Sequence, residues 1–236
     1  MPGTTANFPD SLLPPHDAAR LRTLHQYQIV NTTPEQIFDD YVVWAAQLFG
    51  VPISLISLVD ADYVWFKAVA GASGIPGLAR NESMCSAAIL IGESVVVSDY
   101  KPESCRLIKP DVAQASGLSF YAGAALIAKD GAHLGMLAII ARETRAFTAA
   151  EAHLLTRLAH LVSQTIELRY HYLATNQAAE WDDAQQELTK ALDENSALAR
   201  YLASRGQGID FSNEEVAQPI IRRLASVAQV LERRLE

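Results

Sequence analysis

Residues 27–69 read YQIVNTTPEQIFDDYVVWAAQLFGVPISLISLVDADYVWFKAV. Thr33-Pro34-Glu35-Gln36 has the form of a capping box with proline at the first helical position. Ile37, Phe38, Tyr41, Val42, Ala45, Leu48 and Phe49 then recur at helical spacing up to Gly50. Ile53–Val59 is a run of Ile, Leu and Val. Asp60-Ala61-Asp62 supplies turn chemistry, and Tyr63–Val69 returns as a second strand, so a hairpin follows the helix.

Working outward, residues 16–28 place Ala18, Leu21, Leu24 and Tyr27 on one helical stripe, ended by Asn31-Thr32. Residues 1–15 are rich in Pro, Thr and Ser and read as a flexible N-terminal arm. They lack the basic start and apolar run of a secretory leader. Downstream, residues 70–82 (AGASGIPGLARNE) read as a loop over the sheet and a lid. Ser83–Ile91 suits a short helix, Val95–Ser98 a short strand, and 101–116 a loop with a short helix. Phe120–Ala128 and Leu134–Ala141 read as strands joined by a turn at Lys129-Asp130-Gly131-Ala132.

A second capping box, Thr148 to Glu151, opens a long helix. Leu154, Leu158, Leu161, Thr165, Leu168 and Tyr172 are spaced 4, 3, 4, 3 and 4 along it. That is a heptad seam of about two and a half repeats, read either as packing on the sheet or as a dimer interface. Helical composition resumes from Trp181 to Ser204, anchored by Leu188, Leu192, Leu198 and Leu202. Gly206-Gln207-Gly208 breaks it. Ser212 to Glu215 is a third capping box, and Pro219 is positioned to bend or delay the last helix. Four segments result: an arm (1–15), a main domain with its exiting helix (16–172), a helical extension (173–205) and a C-terminal helix (206–236).

Composition narrows the function classes. The 236 residues are 50% hydrophobic and 19% charged, ordinary for a globular chain. A net charge of −8 argues against nucleic acid as a partner. Arg222, Arg223, Arg233 and Arg234 alternate with Glu and read as a solvated face. No stretch approaches the roughly 20 apolar residues of a membrane span. Cys85 and Cys105 imply no disulfide framework, which makes a cytoplasmic location the expectation. The six His are scattered, so no metal site is expected. No phosphate-binding loop or nucleophile elbow occurs.

The order of these motifs resembles bacterial GAF domains of the kind found ahead of histidine kinases and diguanylate cyclases. Their YxILxTxPExxFD entry is similar to YQIVNTTPEQIFDD here. Their FGVPIxLxSLVDxDxxWFK strand pair is similar to FGVPISLISLVDADYVWFK, and their FYAGAPL…G…LGxLxxID to FYAGAALIAKDGAHLGMLAII. The resemblance spans roughly residues 17–170. It implies an α+β fold: a GAF/PAS-like central antiparallel sheet of five to six strands, helices mainly on one face, and long C-terminal helices. Where such domains often read FCAHAI, this chain has Met84-Cys85-Ser86-Ala87-Ala88-Ile89; the Cys matches and the His does not. The acidic residue that usually closes the last strand is Ala141 or Arg142.

The resemblance implies a non-enzymatic sensory or regulatory protein that binds a small molecule or senses redox state. It would signal through a helical homodimer to a partner such as a kinase or cyclase. It also places Cys85 beside the pocket. Alternatives are a reductase of the methionine sulfoxide type using Cys85 with Cys105 resolving, and a bilin or haem receptor; the cofactor is otherwise unspecified. One of Trp65 and Phe66, and one of Phe120 and Tyr121, faces the pocket, because strand neighbours point to opposite sides. Ser83, Asp99, Arg106 and Ser119 are the candidate polar groups around the pocket mouth.

Overall fold

A computed structural model describes residues 11–72, 74–101, 108, 117–203 and 214–236, with the backbone alone at 194–203, 214–216 and 223. The elements are α1 (Asp17–Gln26), α2 (Gln36–Phe49), β1 (Ile53–Val59), β2 (Tyr63–Ala70), β3 (Gly77–Ala79), a 3-10 turn (Arg80–Glu82), α3 (Met84–Ala88), β4 (Ser94–Val97), β5 (Phe120–Ile127) and β6 (His133–Ala141), then α4 (Ala149–Ala174), α5 (Ala178–Ala203) and α6 (Glu214–Leu235). The six strands form one antiparallel sheet in the order β3-β2-β1-β6-β5-β4. β1 is central and buried at every residue, which explains why its sequence is apolar rather than alternating.

The two sheet faces are separate cores. Ile56, Leu58, Phe120, Ala122, Leu137 and Ile139 pack under α2 and α4. Leu55, Val64, Tyr121, Met136 and Ala138 pack with α3 on the opposite face. Apart from α3, the packed helices lie on the first face, as the resemblance implied. Beyond α2 and α4, the hairpin of α5 and α6 adds a further helical layer: α5 lies along α2, and α6 along α4 and α5. Arg233 and Arg234 pair with Glu187 across that hairpin, so they are held partners rather than a purely solvated face.

Several local expectations change. Helix α2 does end at Gly50, whose φ of +61° favours glycine and whose N–H returns to the carbonyls of Ala46 and Gln47. Its start differs: the helix begins at Gln36, its N-cap is Glu35, and no side chain caps it. The Thr33 box does not form: Gln36, which would have closed it, instead donates through its Nε2 to Asp40. In α1, Ala18 is exposed and Arg20 is buried; burial follows Arg20's bonds to the Val59 and His133 carbonyls, not apolar periodicity. The expected lid at 70–82 contains an edge strand, β3, because β2 has unpaired backbone groups on that side. Gly71 turns the chain into it at φ +80°, where a Cβ would lie 1.7 Å from the Pro52 oxygen. Within the expected arm, the Leu12 carbonyl accepts from Arg80 Nη2 at 2.6 Å. The Thr148 capping box forms in both directions. Residues 1–10, the Gly206–Gly208 break, the Ser212 box and the Leu198 and Leu202 side chains lie outside the described residues.

The seam of α4 is covered by the chain itself. Leu158, Thr165 and Leu168 have no exposed surface, and Leu154, Leu161 and Tyr172 are buried. Leu154 stands beside Ala217 and Ile221 of α6, and Leu161 beside Leu224. Thr165 meets Tyr41 of α2. Leu154 and Leu161 therefore face α6 and Thr165 faces α2, two different intramolecular contacts along one seam.

Candidate ligand cavity

On the α3 face of the sheet a cavity of about 340 Å³ opens between the strands, α3 and the β3 segment. Ile53 and Leu55 of β1, Phe66 of β2 and Ile140 of β6 form its floor. Ile75 and Leu78 close one side, and Ile108 and Leu118 another. Among the described residues its polar groups are few: Glu82, Ser83, Cys85 and Tyr121. A mostly apolar concavity with a few placed polar groups is the usual form of a small-molecule site.

The polar groups are tied to one another. Ser83 caps α3 by accepting from the Cys85 N–H at 3.3 Å. The Tyr121 hydroxyl donates to Cys85 Sγ at 3.5 Å. Burial pushes the Cys85 thiol up, against the opposing hydrogen bonds of Ser57, Tyr121 and Ser83. Burial and the adjacent thiol likewise raise Tyr121 well above the ordinary phenol range. At neutral pH the pair is a neutral thiol under a neutral phenol, a weakly polar spot and not an activated nucleophile.

Of the residues singled out from sequence, Phe66, Ser83, Cys85 and Tyr121 meet at this cavity. Trp65 and Phe120 turn the other way: Trp65 lies beside Lys67 at 5.7 Å, and Phe120 stacks near Phe147 at 5.6 Å in the helical core. Strand alternation is the reason for both. Asp99 is exposed and faces Lys101. Ser119 contributes backbone bonds to Tyr100 and Ala141 just outside the lining. Cys105 and Arg106 lie outside the described residues. Leu55 and Ile140 were missed, although the same alternation on β1 and β6 marks them. Ile75, Leu78, Ile108 and Leu118 carry no local signal.

A second cavity of about 430 Å³ lies between β5, α4 and α6, bordered by Glu93, Arg157, His160, Gln164 and Glu232. Among the described residues no group of three or more His, Cys, Asp or Glu is placed to hold a metal. Among them, too, no helix is long and apolar enough to cross a membrane.

The GAF domain family profile matches residues 33–166, more than half of the chain, and the chain belongs to the GAF domain family. It is thus a sensory domain by family. It is 31% identical over 132 residues to a cyclic di-GMP phosphodiesterase of Pseudomonas aeruginosa, covering 56% of this chain and 22% of that relative. The chain thus spans about a fifth of the relative's length. The relative is an enzyme, and this overturns the expectation that the chain is non-enzymatic. Among solved structures, the GAF domain from an Acinetobacter phosphoenolpyruvate-protein phosphotransferase is 18% identical with a TM-score of 0.48, covering 67% of this chain and 97% of that one. The free methionine-R-sulfoxide reductase from Neisseria meningitidis, in complex with its substrate, is 19% identical with a TM-score of 0.47, covering 73% and 97%.

Proposed function

We propose that this GAF domain binds a compact, uncharged and largely apolar molecule, and that occupancy regulates the hydrolysis of cyclic di-GMP. The cavity under Phe66 and Tyr121 carries the reading. It is large enough for a small organic molecule, its described lining is mainly aliphatic with Glu82 as the one carboxylate, and its thiol and phenol are neutral. An apolar ligand gains from leaving water there, and Tyr121 and Ser83 supply orientation. The identity to a cyclic di-GMP phosphodiesterase supports the output. The signal leaves the domain through α4 and the hairpin it carries, toward the unit that performs or partners the hydrolysis.

Native mass spectrometry of the protein purified from its own host tests the binding. The expected result is a stoichiometric small-molecule adduct that disappears in Leu78→Trp, which fills the cavity from β3. An empty wild-type protein overturns the binding. Cyclic di-GMP hydrolysis by the natural full-length protein or assembly tests the output. Leu78→Trp is expected to change the rate several-fold, and an unchanged rate removes the regulatory reading.

A further inference from the structure

Glu35 stands at the N-terminus of α2, and three cations or donors from three other elements converge on its carboxylate. Lys67 Nζ of β2 lies 2.5 Å from Oε2. Arg169 Nε of α4 lies 2.9 Å from both oxygens. The Trp181 indole N–H of α5 donates to Oε1 at 2.9 Å. Lys67 has no exposed side-chain surface, and Arg169 and Trp181 are buried. Arg169 and Trp181 flank the turn at Thr175–Gln177 where α4 reverses into α5, a turn with Asn176 at φ +57° and neither glycine nor proline. One carboxylate therefore holds both sides of the reversal that seats the C-terminal hairpin.

The other end of this contact is the cavity. In the β1–β2 ladder Ser57 pairs with Phe66 and Ile56 with Ala68, so Lys67 is the extra residue of a β-bulge. Bulges re-aim side chains and interrupt the ladder locally. Phe66 accordingly faces the cavity, while Lys67 faces Glu35. A displacement of Phe66 reaches Lys67 through a single peptide, at the point of β2 without a ladder partner. Buried charge pairs respond sharply to such a displacement, because a partner left unpaired in low dielectric is costly.

We infer that Glu35 is the relay by which the state of the cavity sets how firmly the α5–α6 hairpin is seated, acting from Phe66 through Lys67 to Arg169 and Trp181. The inference rests on the cavity reading for its input, but its wiring is testable without a ligand. Leu78→Trp crowds the cavity, and Glu35→Gln weakens the carboxylate's hold while keeping its shape. Hydrogen exchange at residues 178–193 is the readout, with β5 and β6 as internal reference. Each single variant is expected to raise exchange there about tenfold, and the double variant no more than either alone. Two results overturn the relay: wild-type exchange in Leu78→Trp, or a double variant showing the product of the two single effects. If Glu35→Gln does not fold, Trp181→Phe removes the indole donor alone and enters the same cycle. A cavity that proves empty in mass spectrometry removes the input and leaves this coupling measurable, so the two failures are distinct.

Discussion

The hydroxyl of Tyr41 on α2 lies 3.0 Å from Oγ1 of Thr165 on α4, and neither residue has exposed surface. That contact puts a seam position of α4 inside the domain's own helical layer. Its neighbours Leu161 and Leu168 are buried as well. Leu161→Asp and Leu168→Asp are each expected to cost several kcal/mol, since each replaces packed leucine by a carboxylate without a partner. Urea unfolding checks this. A fully folded variant with an unchanged midpoint would show that the seam is not core.

Two of the three capping boxes read from sequence should respond differently. Thr148 accepts from the Glu151 N–H at 3.2 Å, and Glu151 accepts from the Thr148 N–H at 2.7 Å. Thr148→Ala should cost about 1 kcal/mol. Thr33 is exposed and caps nothing, so Thr33→Ala should stay within about 0.5 kcal/mol of the parent. Equal shifts of the two urea midpoints would contradict the assignment.

Cys85 should be slow to react. It is buried, and that burial raises its thiol; alkylation requires the exposed thiolate. Mass mapping after a brief pulse of iodoacetamide at neutral pH is expected to leave the Cys85 peptide unmodified in the folded protein and modified in urea. Rapid labelling of that peptide in the native state would return Cys85 to the list of nucleophiles.

Asp17 links stability to pH. Burial opposes its ionisation, but hydrogen bonds and charge from Arg20 and Arg80 outweigh this and hold its carboxyl below the ordinary 3.8. A depressed folded-state value means the stabilisation is complete above the unfolded value and fades as pH falls through the folded one. Asp17→Asn should therefore lower the urea midpoint at pH 6, and the gap to wild type should narrow below about pH 4. A gap of constant width from pH 6 to pH 3 would refute the linkage.

The amino-acid sequence by itself determined the parts whose signal is local. Apolar spacing marked α2, the run of Ile, Leu and Val marked β1, and Thr148 with Glu151 marked the start of α4. Alternation also required that Trp65 and Phe66 part company across the sheet, as Phe120 and Tyr121 do. It did not say which of each pair would meet the cavity. The tertiary structure decided that, through the register of β1 against β2 and the bulge at Lys67. It also decided that α2 has its N-cap at Glu35 rather than at Thr33, that the Glu35 carboxylate meets Lys67, Arg169 and Trp181, and that α6 covers the face of α4. The reason is physical: periodicity reports which residues leave water, but not which neighbour takes the water's place. An ion pair between residues 134 apart leaves no pattern in either segment.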